Sequence, residues 1–239
     1  MRRCETVRRV HWVGAYVELQ VETAAGSLNT WRVDQVLLAL PSRLAKEHIA
    51  FDPPLLPKLP RRWRGTPTWM APQAKYAAFY DTPFWPNQGL SGSARSQHGP
   101  IGEIHDVSMP GGHAALFGFL GVPARVRRGL ADDALRTHCR AQLARLFGEA
   151  AGRPVADALK DWAADPLTAT DDDQDAAGHH AEPPERSSGG GSWLDRLIGV
   201  GCEWSLQFSG YLAGAVDAAA RGVQQCLAAD LTATQESDA

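Results

Sequence analysis

The stretch that decides the fold is GCEWSLQFSGYLAGAV, residues 201–216. It follows an apolar run that begins at Leu197, and it contains a polar turn and then a helix-forming segment from Gly210 onward. Small residues at a helix N-terminus let backbone N–H groups approach a ligand, and the aligned peptide dipoles favour electron-rich groups there. The alternative is that Gly210, Gly214 and Ala215 only permit close helix packing. The pattern predicts a strand, a turn and a helix, with either a ligand-binding or a packing role.

The segment after this turn predicts a helix from Gly210 to Ala228. Its apolar residues recur at three- and four-residue spacing, which is typical of a helix with one buried face. The predicted inner stripe consists of Leu212, Ala215, Val216, Ala219, Val223 and Leu227. Residues 231–239 are expected to form a frayed tail.

Upstream, the pattern from Val7 to Leu40 predicts β-structure, because apolar residues nearly alternate on either side of a turn at Gly26. The continuous apolar run Val36–Leu40 predicts a strand covered on both faces. A short helix is expected from Ser42 to Ile49. Residues 51–60 are rich in proline and are expected to form a surface connection.

The middle of the chain predicts three short strands, at 74–80, 101–108 and 114–120, separated by turn-forming residues. A packing helix is expected to begin at Asp132 and to end before Gly148. Strands early and helices later indicate an α+β fold with a mixed sheet rather than regular βαβ alternation.

Residues 171–192 combine an acidic run, histidines, prolines and glycines, so we expect a mobile, solvated loop. Asp171–Asp173 with His179 and His180 invite a metal interpretation, but their spacing fits no standard site. No metal is therefore expected. Gly189, Gly190 and Gly191 have no strand before them and no helix after them, so they do not form a phosphate loop.

Composition excludes several classes of function. The chain has 239 residues, 44% of them hydrophobic, and a formal net charge of -3 at pH 7, so it offers no basic face for a nucleic acid. The four cysteines are far apart and form no CxxC pair, which argues against a zinc site or a disulfide scaffold. The apolar runs are too short for a signal peptide or a membrane span. A cytoplasmic protein without a membrane partner is the expectation.

Residues 201–216 resemble the closing signature of the flavin-containing amine oxidases, the family of the monoamine and polyamine oxidases. That signature joins Gly-x-Glu at a strand end to Gly-Tyr-x-x-Gly-Ala at a helix start. Three further segments match in the same order. They are the run Val36–Pro41 with Phe51-Asp52-Pro53-Pro54-Leu55, then Lys75 ahead of Tyr80 and Phe84-Trp85, then Trp162 within the stretch 161–166. The resemblance extends from about Val7 to Ala228.

This resemblance implies the C-terminal part of a two-domain FAD-binding amine oxidase fold, with a mixed-sheet substrate domain. It divides the chain into partial FAD-domain strands, a substrate-binding domain, the mobile loop, a flavin-facing strand and helix, and a tail. The corresponding ranges are 1–50, 51–165, 166–195, 196–230 and 231–239.

The resemblance also assigns roles to individual residues. Lys75 matches the lysine that holds a water at flavin N5, and Tyr211 matches the aromatic residue that guides the amine. The alternatives are a snorkelling surface lysine and a core tyrosine. The resemblance further implies cofactor contacts from Val7, Trp162, Gly201, Glu203, Gly210 and Tyr211. Trp204 departs from the family, which has a small or hydroxylated residue there, and its bulk could crowd the flavin.

The sequence contains no G-x-G-x-x-G segment between a strand and a helix, the motif that holds the pyrophosphate of FAD. Two hypotheses follow. Either the chain is an amine oxidoreductase whose ADP-binding half is supplied by a separate chain, or it is a remnant that folds or binds a partner without catalysis. We expect no turnover by the chain alone. FAD, if bound, is expected to be non-covalent, because the segment after Trp162 has no cysteine to link it.

Overall fold

A computed structural model describes residues 2–175, 182–185 and 191–237, with side chains as far as residue 229. The chain divides into two compact units. Met1–Trp69 together with Ala177–Ala239 forms the first unit, and Met70–Ala176 forms the second unit. The boundaries predicted at 50/51 and 165/166 therefore lie earlier in the chain than the observed boundaries between the units.

Two sheets form the first unit. The larger sheet consists of β1 (Glu5–Trp12), β2 (Val17–Thr23), β3 (Leu28–Val33) and β5 (Ala50–Asp52), in the order β3, β2, β1, β5. Neighbours among β1, β2 and β3 are antiparallel, whereas β5 is parallel to β1. The smaller sheet pairs β4 (Val36–Leu38) in parallel with β11 (Leu197–Gly199). The β-structure predicted between residues 7 and 40 is confirmed.

Three helices complete the first unit: α1 (Ser42–His48), α2 (Lys58–Gly65) and α5 (Leu212–Ser237). The prediction that residues 51–60 are only a connection was wrong, because they contain β5 and the start of α2. Pro60 lies in the first turn of α2, where a missing N–H costs nothing since that amide has no intrahelical acceptor. Residues 231–237 continue α5, so they are not the predicted tail.

Aromatic rings fill the core of the first unit. Phe51 lies edge-on to Trp63 and Trp193, with ring centroids 5.8 and 6.0 Å away, and Trp63 lies edge-on to Trp204 at 6.0 Å. Trp204 is completely buried. Its indole lies against Gly199, where an added Cβ would come within 2.1 Å of the ring. The bulk of Trp204 is therefore accommodated by the core.

The inner face of α5 is not the predicted one. Gly214, Ala218 and Gly222 are buried, whereas five of the six predicted inner residues are exposed. A Cβ at Gly222 would lie 2.4 Å from Val200 Cγ1, so the small residues allow the helix backbone to approach the end of β11 closely. The exposed residues are Leu212, Val216, Ala219, Val223 and Leu227.

The second unit is a five-stranded sheet covered on one face by a long helix. Its strands are β6 (Ala74–Tyr80), β7 (Ala94–Arg95), β8 (Ile101–Asp106), β9 (Ala114–Leu120) and β10 (Ala156–Asp161), in the order β10, β6, β9, β8, β7. A short helix, α3 (Ala124–Arg127), precedes the covering helix, α4 (Asp132–Phe147). The strands and the helix predicted between residues 74 and 148 are confirmed, and with them the α+β class. Alternate residues of β6 and β9 pack with Cys139, Leu143 and Phe147 of α4.

A buried carboxylate joins β10 to α4. Asp157 accepts hydrogen bonds from the Tyr76 hydroxyl at 2.8 Å and from Arg136 and Arg140 at 2.7 Å each. Burial opposes ionisation, but the hydrogen bonds from Arg140, Tyr76 and Arg136 outweigh it and lower the pKa of Asp157 to about 2. Burial also raises the pKa of Tyr76, which keeps its hydroxyl a donor.

This network predicts acid sensitivity of the folded chain. Because the pKa of Asp157 is depressed in the folded protein, the stabilisation is complete above the unfolded pKa near 4 and is lost as the pH falls toward about 2. The expected contribution is on the order of 2 kcal/mol. Urea unfolding of the wild type and of Asp157→Asn at several pH values checks this. If the difference in the free energy of unfolding between the two proteins does not become smaller below pH 4, the prediction is contradicted.

The predicted solvated loop is ordered at its start. Asp171–Asp173 forms a 3-10 turn in which the Asp173 carboxylate accepts hydrogen bonds from the amide and the hydroxyl of Thr170, at 3.0 and 2.8 Å. Asp173 and Gln174 are buried, as is Trp193 near the far end of the predicted loop. The expectation of full solvation was therefore wrong for these residues. His179, His180, Gly189 and Gly190 lie outside the described residues.

Candidate functional site

Lys75 lies on the face of the second unit's sheet opposite α4. Its strand neighbours Ala74 and Tyr76 pack toward α4, and alternate side chains of a strand point to opposite faces. The Lys75 Nζ lies 5.4 Å from the ring centroid of Phe119 and 5.9 Å from that of Phe117, both on β9. The two rings are edge-on to each other, with centroids 5.1 Å apart. This sheet face therefore carries an ammonium group beside two aromatic rings, an arrangement that stabilises cations.

Trp162 follows β10 and begins a 3-10 turn, Trp162–Ala164. The Nζ of Lys160 lies 4.6 Å from the Trp162 ring centroid and 2.5 Å from Asp165 Oδ2. Lys160 is also the register partner of Lys75 across β10 and β6. Lys75 and Lys160 therefore share one face of the sheet, and Lys160 contacts Trp162 just beyond the end of β10.

A buried ion pair fixes the turn that carries Trp162. The Arg127 guanidinium donates two hydrogen bonds to the Asp161 carboxylate, at 2.7 and 2.8 Å, and further bonds to the carbonyls of Pro72 and Val122. The Asp161 carboxylate also accepts a hydrogen bond from the Ala163 amide, at 3.0 Å. The Arg127 side chain is 2% exposed, so the pair is shielded from water.

In the first unit, β11 leads into the turn that was predicted from residues 201–211. Gly201 is tightly packed, because an added Cβ would lie 3.1 Å from both Glu203 Oε2 and the Leu40 carbonyl. Glu203 is buried. Gly210 has φ of 82°, a left-handed conformation that favours glycine, and its amide donates to the Cys202 carbonyl at 3.3 Å.

The same turn opens α5 toward the surface. Tyr211 is 55% exposed and Leu212 is 91% exposed. A Cβ at Gly214 would lie 2.1 Å from the Phe208 carbonyl, so this glycine serves the packing alternative considered for the motif. The N-terminal end of a long helix is thus accessible beside a buried carboxylate.

The predicted residue Val7 and the unpredicted Cys202 both lie in structural surroundings. Val7 lies on β1, opposite Val21, and packs half-buried against the core that contains Trp204. Burial, followed by the charge of Glu203, raises the pKa of the Cys202 thiol to about 12. Cys202 is therefore a neutral thiol at physiological pH and a poor nucleophile.

Sequence reasoning missed Lys160, Arg127 and the two rings of β9. Phe117 and Phe119 carried a usable signal, since two aromatic residues at a spacing of two in a strand share one face. Arg127 carried none, because its partner Asp161 is 34 residues away. Among the described residues, no cluster of three His, Cys, Asp or Glu side chains is arranged to hold a metal ion. Within that part of the chain, no helix has the length and apolar character to span a membrane.

Comparison with known proteins places these elements in a family. The model of the flavin-containing amine oxidoreductases matches residues 2–227. Putrescine oxidase of Kocuria rosea is 28% identical over 178 residues, which are 68% of this chain and 35% of the relative. AofH of Mycobacterium tuberculosis, described as a flavin-containing monoamine oxidase, is 32% identical over 206 residues, which are 81% of this chain and 41% of the relative.

Solved structures share the fold. Wild-type putrescine oxidase bound to putrescine has a TM-score of 0.68 and 22% identity, over 96% of this chain and 48% of its own. Cyclohexylamine oxidase from Brevibacterium oxydans has a TM-score of 0.69 and 22% identity, over 93% of this chain and 47% of its own. The chain therefore spans less than half the length of these relatives. With the family model matched along nearly its whole length, the chain belongs to the flavin-containing amine oxidoreductase family.

Proposed function

We propose that this chain supplies the substrate-side half of an FAD-dependent oxidoreductase that deaminates a small aliphatic amine and passes the electrons to O2, giving H2O2. The observation that carries the proposal is Lys75 beside two aromatic rings on the sheet face that α4 leaves uncovered. The faces of such rings carry partial negative charge and attract an ammonium group. The names of two relatives, which act on putrescine and cyclohexylamine, support an amine of modest size.

The residues of the first unit suit the ring end of a flavin. The N-terminus of α5 is accessible at Tyr211 and Leu212, and such an end favours an electron-rich group. Trp204 leaves this end open, since its ring is buried against Gly199. The given sequence has no G-x-G-x-x-G segment. We propose that the ADP end of FAD is held by a polypeptide half outside this sequence, either on the same chain or on a separate one.

When bound, the flavin would supply the redox chemistry by accepting a hydride equivalent from the carbon next to the amine nitrogen. In this proposal, Lys75 would hold a water next to the flavin ring, and Tyr211 would orient the amine through the face of its own ring. Trp162, on the turn fixed by Arg127 and Asp161, would contribute to holding the flavin. The remaining proposed cofactor contacts are Glu203 and the backbones of Val7, Gly201 and Gly210.

Non-covalent binding of FAD is the form that the chain's chemistry favours. A covalent link needs a reactive nucleophile near the cofactor. Cys202 is the cysteine next to the proposed site, and burial keeps its pKa near 12. We therefore propose that denaturing the flavin-loaded protein releases all of its flavin into solution.

Tyr211 offers a test of substrate orientation. Because the side chain is 55% exposed, Tyr211→Ala is expected to leave the unfolding midpoint unchanged. The substitution removes the ring face and should lower kcat/KM for an amine by about tenfold, within the range of a desolvated cation–π contact. Tyr211→Phe keeps the ring and is expected to retain near wild-type kcat/KM. Equal losses in both variants would contradict a role for the ring face.

The experiment that tests the proposed function is purification of the chain alone and with a nucleotide-binding half. The part of Kocuria rosea putrescine oxidase that this chain does not match is a suitable half. We expect the co-purified sample to show flavin absorbance at about 450 nm and to release peroxide when putrescine is added. A colourless, inactive complex would instead favour the alternative, a member of the lineage that folds or binds a partner without catalysis.

A further inference from the structure

Helix α2 carries its charge on its exposed side. Its residues Lys58–Gly65 include four cations and no acidic residue. Leu59 and Trp63 are buried and hold the inner side of the helix against the core of the first unit. Three of the four cations follow one another at spacings of three and one residues, which place them close together on the helix surface. These three exposed residues are Lys58, Arg61 and Arg62.

A cavity of about 560 Å³ lies along this cationic side of the helix, and we call it the α2 cavity. Pro57 and the alkyl stems of the three cations supply carbon surface, while the ammonium and guanidinium groups supply charge. Pockets that hold small organic molecules have volumes of roughly 300–1,000 Å³, so the α2 cavity has room for more than an inorganic ion. Besides the three cations, the lining consists of Pro57, Gly65, Thr66 and Glu182.

The charges in the lining of the α2 cavity are unbalanced. Three cations face a single carboxylate, that of Glu182, so the lining has a formal charge of +2. Glu182 accepts a hydrogen bond from Arg62 at 2.8 Å, but 84% of the Glu182 side chain and 47% of the Arg62 side chain are exposed. An exposed pair of this kind is weak, and like charges three and four residues apart on a helix repel each other. A bound anion would therefore stabilise this arrangement of cations.

Gly65 keeps one end of the α2 cavity open. Within the described part of the chain, a Cβ at this position would meet no atom within 4 Å apart from its own helix backbone and chain neighbours. Packing therefore does not require glycine here, in contrast to Gly214 and Gly222 of α5. Because Gly65 lines the cavity, a side chain at this position would occupy part of the space.

We propose that the α2 cavity binds a small organic molecule that carries a phosphate monoester. The planar guanidinium groups of Arg61 and Arg62 match the geometry of phosphate oxygens. A phosphate monoester has a charge of about -2 at pH 7, which balances the lining, whereas a single carboxylate balances half of it. The volume beyond the phosphate accommodates the organic part. The proposal is independent of the proposed function, which uses none of these residues.

An extended polyanion, such as an anionic membrane surface or an acidic peptide, is the weaker alternative. Such a partner would be attracted by all the exposed cations of α2, including Arg64, which does not line the cavity. It would not need the open space at Gly65. The concave shape and the open glycine end therefore favour a small ligand.

The test is isothermal titration of the full chain with ribose 5-phosphate at about 0.15 M salt, which screens diffuse attraction. We expect a Kd below about 1 mM, and at least about tenfold weaker binding of ribose, which lacks the phosphate. Arg61→Gln is expected to weaken the binding of ribose 5-phosphate at least about tenfold. Arg64→Gln is the matched control, because it removes the same charge from the same helix outside the lining, and it should change the Kd less than about twofold.

Gly65→Leu tests the cavity itself without changing any charge. It is expected to weaken binding at least about tenfold, because the added side chain occupies the cavity. Residues 61, 64 and 65 are exposed, so all three variants should keep the unfolding midpoint of the wild type.

Four outcomes would overturn the proposal: no binding of ribose 5-phosphate, equal affinity for ribose, equal weakening by Arg61→Gln and Arg64→Gln, or full affinity in Gly65→Leu. Equal weakening by the two arginine substitutions would instead favour the extended polyanion.

Discussion

Replacing Lys75 by methionine is expected to lower the amine-dependent turnover of the flavin-loaded complex by at least about 100-fold. A group that positions a reacting water or transfers a proton typically contributes this much. Methionine retains an unbranched apolar stem against Phe117 and Phe119 while it removes the ammonium group. The measurement is peroxide release under saturating amine, together with the rate of flavin bleaching in the absence of oxygen.

The control for this substitution is Lys58→Met, which removes an exposed lysine in the first unit. It is expected to leave turnover unchanged. Lys75→Arg keeps a cation but not the compact ammonium group, so its turnover should lie between those of Lys75→Met and Lys58→Met. Full turnover by Lys75→Met in a protein with normal flavin content would contradict the assigned role and would leave Lys75 as a packing residue of the aromatic sheet face.

Replacing Arg127 by methionine is expected to destabilise the chain by about 3–5 kcal/mol, the usual cost of removing one partner of a buried ion pair. The Arg127 side chain is 2% exposed, and without it the Asp161 carboxylate loses two hydrogen bonds and the carbonyls of Pro72 and Val122 lose one each. Urea unfolding, followed by far-ultraviolet circular dichroism, measures the change. Because Asp161 caps the turn at Trp162, the fluorine resonance of a 5-fluorotryptophan label at Trp162 should also shift.

Arg125 provides the matched control, since it lies on the same short helix and pairs with Asp175 at the surface, with 62% and 70% of the two side chains exposed. Arg125→Met is expected to cost less than about 1 kcal/mol. Adding Asp161→Asn to Arg127→Met should recover part of the loss, because it removes the uncompensated buried charge. If Arg125→Met and Arg127→Met lower the free energy of unfolding equally, the buried pair stabilises the chain no more than the surface pair does.

Much of the fold followed from simple patterns. The near alternation after Val7 and the three- and four-residue spacing from Asp132 to Phe147 predicted the antiparallel strands and α4. Such periodicity predicts an element correctly when one of its faces is apolar and buried and the other is exposed to solvent. The order of strand, turn and helix after Leu197 was also predicted, and the structure adds that Gly210 in this turn has a left-handed conformation.

Strand β10 was missed because its inward positions are not apolar throughout. Asp157 and Asp161 point toward other structure, and their charges are matched by Arg136, Arg140 and Arg127 from α3 and α4. From sequence alone, an aspartate is assigned to the surface, because a buried carboxylate requires a charged or hydrogen-bonding partner. Here the partner arginines lie on different elements, so the strand's own sequence does not reveal them. Because β10 was not predicted, the positions of Lys160 and of the residues that fix the Trp162 turn were not predicted either.

The inner face of α5 was reversed for a related reason. Hydropathy ranks Leu212 and Val216 above Gly214 and Gly222, and the prediction therefore placed the larger side chains inside. In the structure, the glycines lie inside because the backbone of α5 passes too close to Val200 and Phe208 for a side chain. Close approach depends on the neighbouring element, which periodicity within one helix does not reveal.

The contact between Gly199 and Trp204 couples the residues that these two positions can hold. A Cβ at position 199 would sit 2.1 Å from the indole, so any larger residue there is incompatible with this placement of the ring. A larger residue at position 199 would have to displace the Trp204 ring from the core, whereas a smaller residue at position 204 would leave a void beside Gly199. A side chain at position 199 is therefore compatible with this core only when position 204 carries a smaller residue.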